Sequence, residues 1–437
     1  MNTRRGRVLP GRAQRGAAVP ANALPWYGLA IFTFFFVTQR LPELFTEFGI
    51  YLALLGMVLR PQGLGFPTPL RWAMILLMWA LVTALFAMAP EAAWPALLER
   101  LKALVIFFVV VNTLRTRQQL RFYIVLILVA FAIYPARGTL QGYLSGNTVA
   151  GRAVWNKIYA NSNDLAAQTL LMLGLALAIA TVKTQNVWVR RAAAALVPVT
   201  LLIILLTQSR GVFVGLLVGF GWPLLARLRK RPAGTVPVLV VIAVIAVLVP
   251  AASWHRLGGI TNLTETITEQ DKKGRPPPHE TRFEQFAAGS ARERFEILKT
   301  GLHIAASHPI LGVGIGCYRE ANARYAPKLG ERDAHNTYVR VAAEMGFPGL
   351  FLWLGLVGSV LIQVRRRRAR LEADDSAIHV LWIERAVIGY LVAGFFGSYA
   401  GLTMFYLFLG TLWSAANVMG RDTTEAGLLP ARRVRAL

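Results

Sequence analysis

The chain has 437 residues, of which 55% are hydrophobic and only 16% are charged. This composition is too apolar for a soluble globular protein of that size. The formal net charge of +25 would favour nucleic-acid binding in a soluble protein, but in a membrane protein basic residues first report topology, so no nucleic-acid partner is expected. Cys317 is the single cysteine, which excludes an intrachain disulfide and a cysteine-rich metal site.

Long apolar runs follow a basic N-terminal tail. A helix needs about 20 apolar residues to cross roughly 30 Å of hydrocarbon, and twelve runs meet or approach that length. They lie at about 24–39, 44–59, 70–89, 101–114, 119–135, 164–182, 191–207, 211–227, 235–252, 343–363, 380–397 and 401–419. The pattern predicts an all-α polytopic membrane protein with about twelve transmembrane helices and a large, partly helical periplasmic loop.

Basic residues mark every second connection between these runs, as the positive-inside rule requires. This predicts cytoplasmic termini in a bacterial inner membrane and two larger periplasmic connections, at 136–163 and 253–342. A cleavable signal peptide fits less well, because the first apolar run leads straight into further spans. The predicted division is a cytoplasmic tail at 1–23, spans one to nine at 24–252, a periplasmic catalytic loop at 253–342, spans ten to twelve at 343–419 and a cytoplasmic tail at 420–437.

The long connection at 253–342 combines polar and amphipathic segments. Apolar residues recur at helical spacing over 291–307, which predicts an amphipathic helix on or against the membrane surface. His308 followed by Pro309 should end that helix. The Pro-rich stretch 269–280 is polar and predicts a loop.

Several basic residues fall on the predicted periplasmic side. Arg210 closes the seventh predicted span with no acid within ten residues, and an arginine at membrane depth favours an anionic ligand, with snorkelling to lipid headgroups as the alternative. Arg137, Arg152 and Lys157 belong to the smaller periplasmic connection. The same reasoning applies to them, although contact with anionic membrane lipids would also explain their charge.

Two arginines lie on the predicted amphipathic helix. Arg292 and Arg294 have Glu293 and Glu296 beside them, so surface ion pairing competes with a functional role for at least one of the arginines. Residues two apart on a helix point in different directions. Only one of the two arginines therefore needs to face a site.

His335 stands at the edge of a predicted span, followed by Asn336 and Tyr338. The imidazole of histidine titrates nearest neutral pH, and the guanidinium of arginine binds phosphate through two hydrogen bonds. A histidine together with arginines therefore predicts proton transfer beside a phosphate. The alternative is a structural helix N-terminus capped by Asp333, with help from Asn336. No combination of His, Asp and Glu has metal-ligand spacing, so neither a metal nor another cofactor is expected.

An ordered set of segments resembles the O-antigen ligase and polymerase superfamily of bacterial inner-membrane glycosyltransferases. The similar segments are YANSNDLA at 159–166, Ser209 with Arg210, Arg294, HPILGVGIGCY at 308–318, DAHNTY at 333–338 and EMGFPGL at 344–350. The resemblance covers roughly 159–419. The family often has a tryptophan four residues after its arginine, where this chain has Leu298, and this departure keeps Arg292 open as an alternative to Arg294.

The resemblance implies transfer of a glycan from undecaprenyl diphosphate. Ligases pass the glycan to the lipid A core oligosaccharide in lipopolysaccharide biosynthesis, polymerases pass it to another lipid-linked glycan, and a third branch passes it to protein hydroxyls. The short length favours the ligase. A transporter or flippase for an anionic lipid is the alternative of a different class, but the cations cluster at one membrane rim and not along a path through the membrane.

The resemblance also implies roles for individual residues. The diphosphate is expected on Arg210 and Arg294, and His335 is expected to act as general base on the acceptor hydroxyl. Asn336 and Tyr338 are expected to orient His335 or the sugar. The auxiliary diphosphate contacts are Arg292, Arg137, Arg152 and Lys157. With no carboxylate pair for a covalent intermediate, the reaction is expected to invert the anomeric configuration without a metal.

Overall fold

The structure, a computed structural model, describes most of the chain. The described residues are 23–40, 43–59, 63–183, 185–221, 225–226, 229, 282–371 and 375–427. These segments are helical apart from their connections, and no strand occurs in them. Several predictions fall wholly or partly outside them, namely the ninth span at 235–252, the Pro-rich loop at 269–280 and the two terminal tails at 1–23 and 420–437.

The described segments contain fourteen α-helices. They are α1 (Leu24–Thr38), α2 (Glu43–Leu59), α3 (Thr68–Leu85), α4 (Pro90–Thr113), α5 (Arg117–Phe131), α6 (Arg137–Leu144), α7 (Ser162–Thr181), α8 (Val187–Leu206), α9 (Arg210–Leu216), α10 (Arg282–Ser307), α11 (Tyr318–Tyr325), α12 (Thr337–Arg368), α13 (Asp375–Ala393) and α14 (Thr403–Gly427). A π-helical segment, Ala132–Ala136, joins α5 to α6, and another, Leu217–Gly221, follows α9.

The protein is a multi-pass membrane protein. Within the described residues, five helical stretches are long and apolar enough to cross a membrane. They are Thr68–Leu85, Arg117–Leu144, Ser162–Thr181, Val187–Leu206 and Thr337–Arg368. Each predicted span other than the ninth coincides with helix, but most of these helices are shorter or more polar than a full span requires, so the count of twelve stays a prediction.

Small residues allow the helices around α9 to approach closely. Gly215 of α9 faces Gly389 of α13, and a Cβ added at Gly215 would lie 2.3 Å from the Gly389 carbonyl oxygen. Gly174 of α7 meets Ala386 of α13 in the same way. Close contacts between small residues are a common means of helix association in membranes. They fix α9, and with it Arg210 at its start, against α7 and α13.

α12 is broken near its beginning. Gly346 has φ 68° and ψ 179°, so the helix stops there and restarts beyond it. The segment after α10 fills the break, where Phe347 N–H donates to the Pro309 carbonyl at 2.8 Å and Gly314 N–H donates to the Glu344 carbonyl at 3.0 Å. A buried helix end needs such partners for its free backbone groups. The first part of α12 is therefore a short, firmly held helix at the start of the longer one.

The predicted amphipathic helix is confirmed and is longer than expected. α10 spans Arg282–Ser307 and ends immediately before His308 and Pro309, as predicted. Ile297 and Ile304 are buried against the rest of the protein. α10 packs on α11 and α12 and so lies over the beginning of α12.

Candidate active site

His335 occupies the connection that leads into α12. Its backbone is left-handed, with φ 48°, which is uncommon for a residue with a Cβ although histidine is enriched there. Asn336 is the N-cap, since its Oδ1 accepts from the N–H groups of Tyr338 and Val339 at 3.0 and 3.1 Å. The alternative in which Asp333 caps this helix is wrong, because the Asp333 carboxylate accepts a hydrogen bond from Arg340.

Electrostatic interactions link His335 to two of the predicted arginines through Arg294. Arg294 lies exposed on α10, and its charge acts on both His335 and Arg210. Arg210 is half-buried at the start of α9. Residues from three separate elements are thus connected by the charge of Arg294. Two cations and a titratable imidazole are the groups needed to hold an anion beside a proton acceptor.

A break between two helices places Arg210. The prediction that Arg210 closes the seventh span is wrong, because α8 ends at Leu206 and Arg210 begins α9. Between them Gln208 has a left-handed backbone, with φ 54°. Arg152 Nε donates to the Thr207 carbonyl at 2.7 Å, which satisfies a carbonyl at the end of α8. The break lets Arg210 begin a helix at the site.

The auxiliary cations divide into two groups. Arg152 donates to Asn163 Oδ1 at 2.7 Å and acts electrostatically on Tyr399, as Arg294 does, so Arg152 lies at the edge of the site. Lys157 instead pairs with Glu43 at 3.2 Å. Their roles in binding diphosphate stay predictions.

Of two further predicted residues, Arg137 lies in a different element from the one expected, and the side chain of Arg292 is not described. Arg137 was expected in the loop after the fifth span, but it lies exposed on the continuous helical stretch Arg117–Leu144. The π-helical turn around Pro135 carries the helix on where proline would often end it. The side chain of Arg292 lies outside the described residues, so the preference for Arg294 over Arg292 stays a prediction.

The two residues expected to orient His335 or the sugar contact the protein's own backbone. Asn336 caps α12 as described above. The Tyr338 hydroxyl donates to the Leu391 carbonyl at 2.7 Å, and its ring packs on Phe395 with 4.4 Å between ring centroids. These contacts fix the start of α12 against the end of α13. A direct role toward a sugar stays a prediction for both residues.

Charges and burial around His335 favour its neutral form. Burial lowers the pKa of His335 first, and the positive charge of Arg294 lowers it further. Asp333 and Glu293 oppose this shift and raise the pKa. Glu293 is itself held by Arg332 at 2.8 Å. An imidazole that stays neutral at neutral pH can accept a proton from a substrate hydroxyl.

Sequence reasoning missed a loop that supports His335, the connection 394–402 between α13 and α14. Thr337 Oγ1 donates to the Gly397 carbonyl at 2.7 Å and accepts from the Tyr399 N–H at 2.8 Å. The Thr337 N–H donates to the Gly394 carbonyl at 2.7 Å. Glycine and aromatic residues at the end of a span carry no chemical signal of such a role. The loop holds the residue two positions after His335.

A buried arginine anchors that same loop. Arg100 of α4 is 6% exposed, and it donates to the Ala400 carbonyl at 2.7 Å and hydrogen-bonds the Tyr406 hydroxyl. The cost of burying a guanidinium is reduced by such partners. Little in the sequence signals this role, because Arg100 lies just before the predicted span at 101–114, between Glu99 and Lys102, where a charged residue is unremarkable.

Potential metal ligands are dispersed in the described part of the chain. No group of three or more His, Cys, Asp or Glu side chains there lies close enough to hold a metal ion.

Residues 193–354 match the family model described as O-Antigen ligase. This part of the chain is similar to the O-antigen ligase family. The matched segment contains Arg210, Arg294 and His335, and the charge of Arg294 acts on the other two residues. The match confirms the resemblance inferred from the motifs and supports glycan transfer of the ligase or polymerase type by a membrane enzyme. A comparison with curated proteins found no match.

Proposed function

We propose that this O-antigen ligase-like protein joins an O-antigen polysaccharide, carried on undecaprenyl diphosphate, to a lipid A core oligosaccharide. The reaction takes place at the periplasmic face of a bacterial inner membrane, with both termini in the cytoplasm. The proposal is supported by the electrostatic interactions of Arg294 with both Arg210 and His335, within the segment that matches the family.

The arginines would hold the diphosphate of the donor. Arg210 and Arg294 act on each other as like charges, and a bound anion between them would relieve that repulsion. Arginine forks bind phosphate oxygens in pairs, and fixed cations stabilise the charge that develops on a leaving diphosphate. Arg152 at the edge of the site, together with Arg292, Arg137 and Lys157, would be auxiliary contacts. The arginines supply the positive charge, so the proposed reaction is metal-independent.

His335 would act on the acceptor. Its neutral imidazole takes the proton of an acceptor hydroxyl while the hydroxyl oxygen attacks the anomeric carbon. The new glycosidic bond forms as the bond from the anomeric carbon to the diphosphate oxygen breaks, and undecaprenyl diphosphate leaves. A single displacement of this kind inverts the anomeric configuration. Protonated His335 then returns its proton to solvent.

The same site chemistry would serve an O-antigen polymerase or a protein O-oligosaccharyltransferase, which differ only in the acceptor. Purified protein in detergent should be incubated with lipid-linked glycan and lipid A core oligosaccharide. Glycan attached to the core supports the ligase. Longer lipid-linked chains would instead indicate a polymerase, and glycan on protein hydroxyls the third branch.

A second assay tests the transporter or flippase alternative. The protein should be reconstituted into vesicles that contain the lipid-linked donor, and both donor orientation and covalent product should be followed. Movement of donor without product would contradict the proposed transferase. The His335→Ala variant is the matched control, because loss of product in this variant ties the reaction to the proposed site.

A further inference from the structure

Arg340 joins two carboxylates, one of them two residues before His335 in the chain. It lies in the first turn of α12, where its Nε donates to Glu344 at 2.9 Å and its Nη1 donates to Asp333 at 3.1 Å. The Glu344 side chain is only 5% exposed. One guanidinium therefore links a buried carboxylate on the helix to a carboxylate in the connection that precedes it.

The two ends of this link differ in how firmly they are held. Glu344 lies beside the break in α12, where its carbonyl accepts from Gly314 N–H at 3.0 Å. The next carbonyl, of Met345, accepts from Trp79 Nε1 at 2.8 Å. Asp333 belongs to the irregular connection two residues before His335. The link therefore runs from a rigid anchor to the loop that carries the imidazole.

His335 needs such support because its backbone is left-handed. A residue with a Cβ keeps that conformation only where the surrounding structure holds it. On the C-terminal side, Thr337 is tied to the 394–402 loop by hydrogen bonds. On the N-terminal side, the hydrogen bond from Arg340 to Asp333 is the corresponding tie. The connection around His335 is thus fastened on both sides.

We propose that Arg340 is a positioning residue, which fixes the loop at His335 by joining Glu344 to Asp333 and so directs the imidazole at the acceptor hydroxyl. The proposal rests on the proposed role of His335. A displacement of about 1 Å at a catalytic group costs on the order of 10²-fold in rate, so a loosened loop should be visible in turnover. Arg340 itself contacts carboxylates of the protein.

The test is a double-mutant cycle between Arg340→Lys and His335→Ala, with turnover of lipid-linked glycan onto lipid A core oligosaccharide measured in detergent. Lysine keeps the charge but lacks the fork that reaches two carboxylates at once. In the wild-type background we expect Arg340→Lys to lower kcat about tenfold or more, with the KM for the donor unchanged within about twofold. In the His335→Ala background it should change the residual rate by less than about twofold, since no imidazole is left to position.

The proposal would be overturned if Arg340→Lys lowered turnover by the same factor in the wild-type and His335→Ala backgrounds. A residue that acts only on folding or donor binding lowers turnover alike in both backgrounds. If Arg340→Lys does not give folded protein, Glu344→Gln takes its place in the cycle. The glutamine keeps the size of the side chain and removes its charge, and Glu344 is the end of the link that does not belong to the connection around His335, so the same two outcomes apply to it.

A control separates this inference from the proposed function. Lys299→Met removes an exposed ion pair with Glu296, 3.2 Å apart on α10, and should leave turnover unchanged. If His335→Ala keeps wild-type turnover, both proposals fail together. If His335→Ala loses turnover and Arg340→Lys lowers the rate equally in both backgrounds, only the positioning role fails.

Discussion

Two helix starts present the proposed chemistry, and they are built in different ways. Arg210 begins α9 two residues after the left-handed Gln208, and His335 stands two residues before Thr337 with a left-handed backbone of its own. Hydrogen bonds to backbone carbonyls hold the first break, with Arg152 on the Thr207 carbonyl. An ion-pair link on one side and a hydroxyl network on the other hold the second.

The difference corresponds to what each residue is proposed to do. An arginine can adjust to small changes in the position of a phosphate, because its side chain is long and several pairs of N–H donors can bind the phosphate oxygens equally well. A general base must reach one proton within hydrogen-bond distance. The firmer support therefore lies at His335. The Arg210 site would tolerate small displacements, provided that the fork and the charge remain.

The largest effect is expected at His335. General-base help contributes on the order of 10² to 10⁴ in rate, so His335→Ala should lower turnover by about that factor. Donor binding should persist, since the arginines remain. The measurements are turnover and direct binding of lipid-linked donor to the variant. A product with retained anomeric configuration from the wild-type protein would contradict the direct displacement.

The next largest effect is expected at Arg210. Both Arg210→Ala and Arg210→Lys should lose activity, by about 10²-fold or more for the alanine variant, because lysine keeps charge without the two-point fork. The loss should appear in donor binding as well as in turnover, in contrast to His335→Ala. Wild-type turnover in Arg210→Ala would show that Arg210 does not bind the donor. The comparison between the helix starts at Arg210 and His335 would then have no functional meaning.

A smaller effect is expected at Arg294, which lies exposed on α10 within electrostatic reach of both helix starts. Arg294→Ala should lower turnover about tenfold, as expected for one charged hydrogen-bond partner of a phosphate. Arg292→Ala on the same helix is the matched control and should cost less. Wild-type turnover in Arg294→Ala together with a loss in Arg292→Ala would assign the diphosphate contact to the other arginine.

The sequence carried enough information to predict the all-helical class and the amphipathic helix before His308, and it singled out three residues to which the proposal assigns the chemistry. Arg210, Arg294 and His335 stood out because polar groups are conspicuous beside apolar runs. Helix ends inside apolar runs were harder to predict. Arg210 was assigned to the end of a helix that stops at Leu206, because nothing in the local composition marks a left-handed glutamine.

The residues that support the site were missed for a different reason. Thr337, Arg340 and Tyr399 act through partners far away in sequence or through the shape of a connection, and single-chain spacing does not report such contacts. The wrong prediction that Asp333 caps the helix is a consequence of this limit. Its position before a helix suggested a cap, but Arg340 competes for its carboxylate and leaves the cap to Asn336.

The smallest predicted effect is a shift in pH dependence, and it distinguishes Arg294 from Arg210. Burial and the charge of Arg294 lower the pKa of His335, Arg319 of α11 acts in the same direction, and Asp333 and Glu293 oppose it. As a general base His335 must be neutral, so kcat/KM should be constant at neutral pH and fall on the acid side with a midpoint below the ordinary value of 6.5.

Removing a positive charge favours the imidazolium, so Arg294→Gln should move that midpoint to higher pH in the free enzyme. Arg210→Gln should move it less, since the charge of Arg294 is, after burial, the largest cause that lowers the pKa of His335. The measurement is the pH profile of kcat/KM for the wild-type protein and the two variants, with residual activity followed over long times. Equal shifts in both variants would mean that the two arginines are equally close to the base. A midpoint shifted to lower pH in Arg294→Gln would contradict the assignment of His335 as the group that must lose its proton.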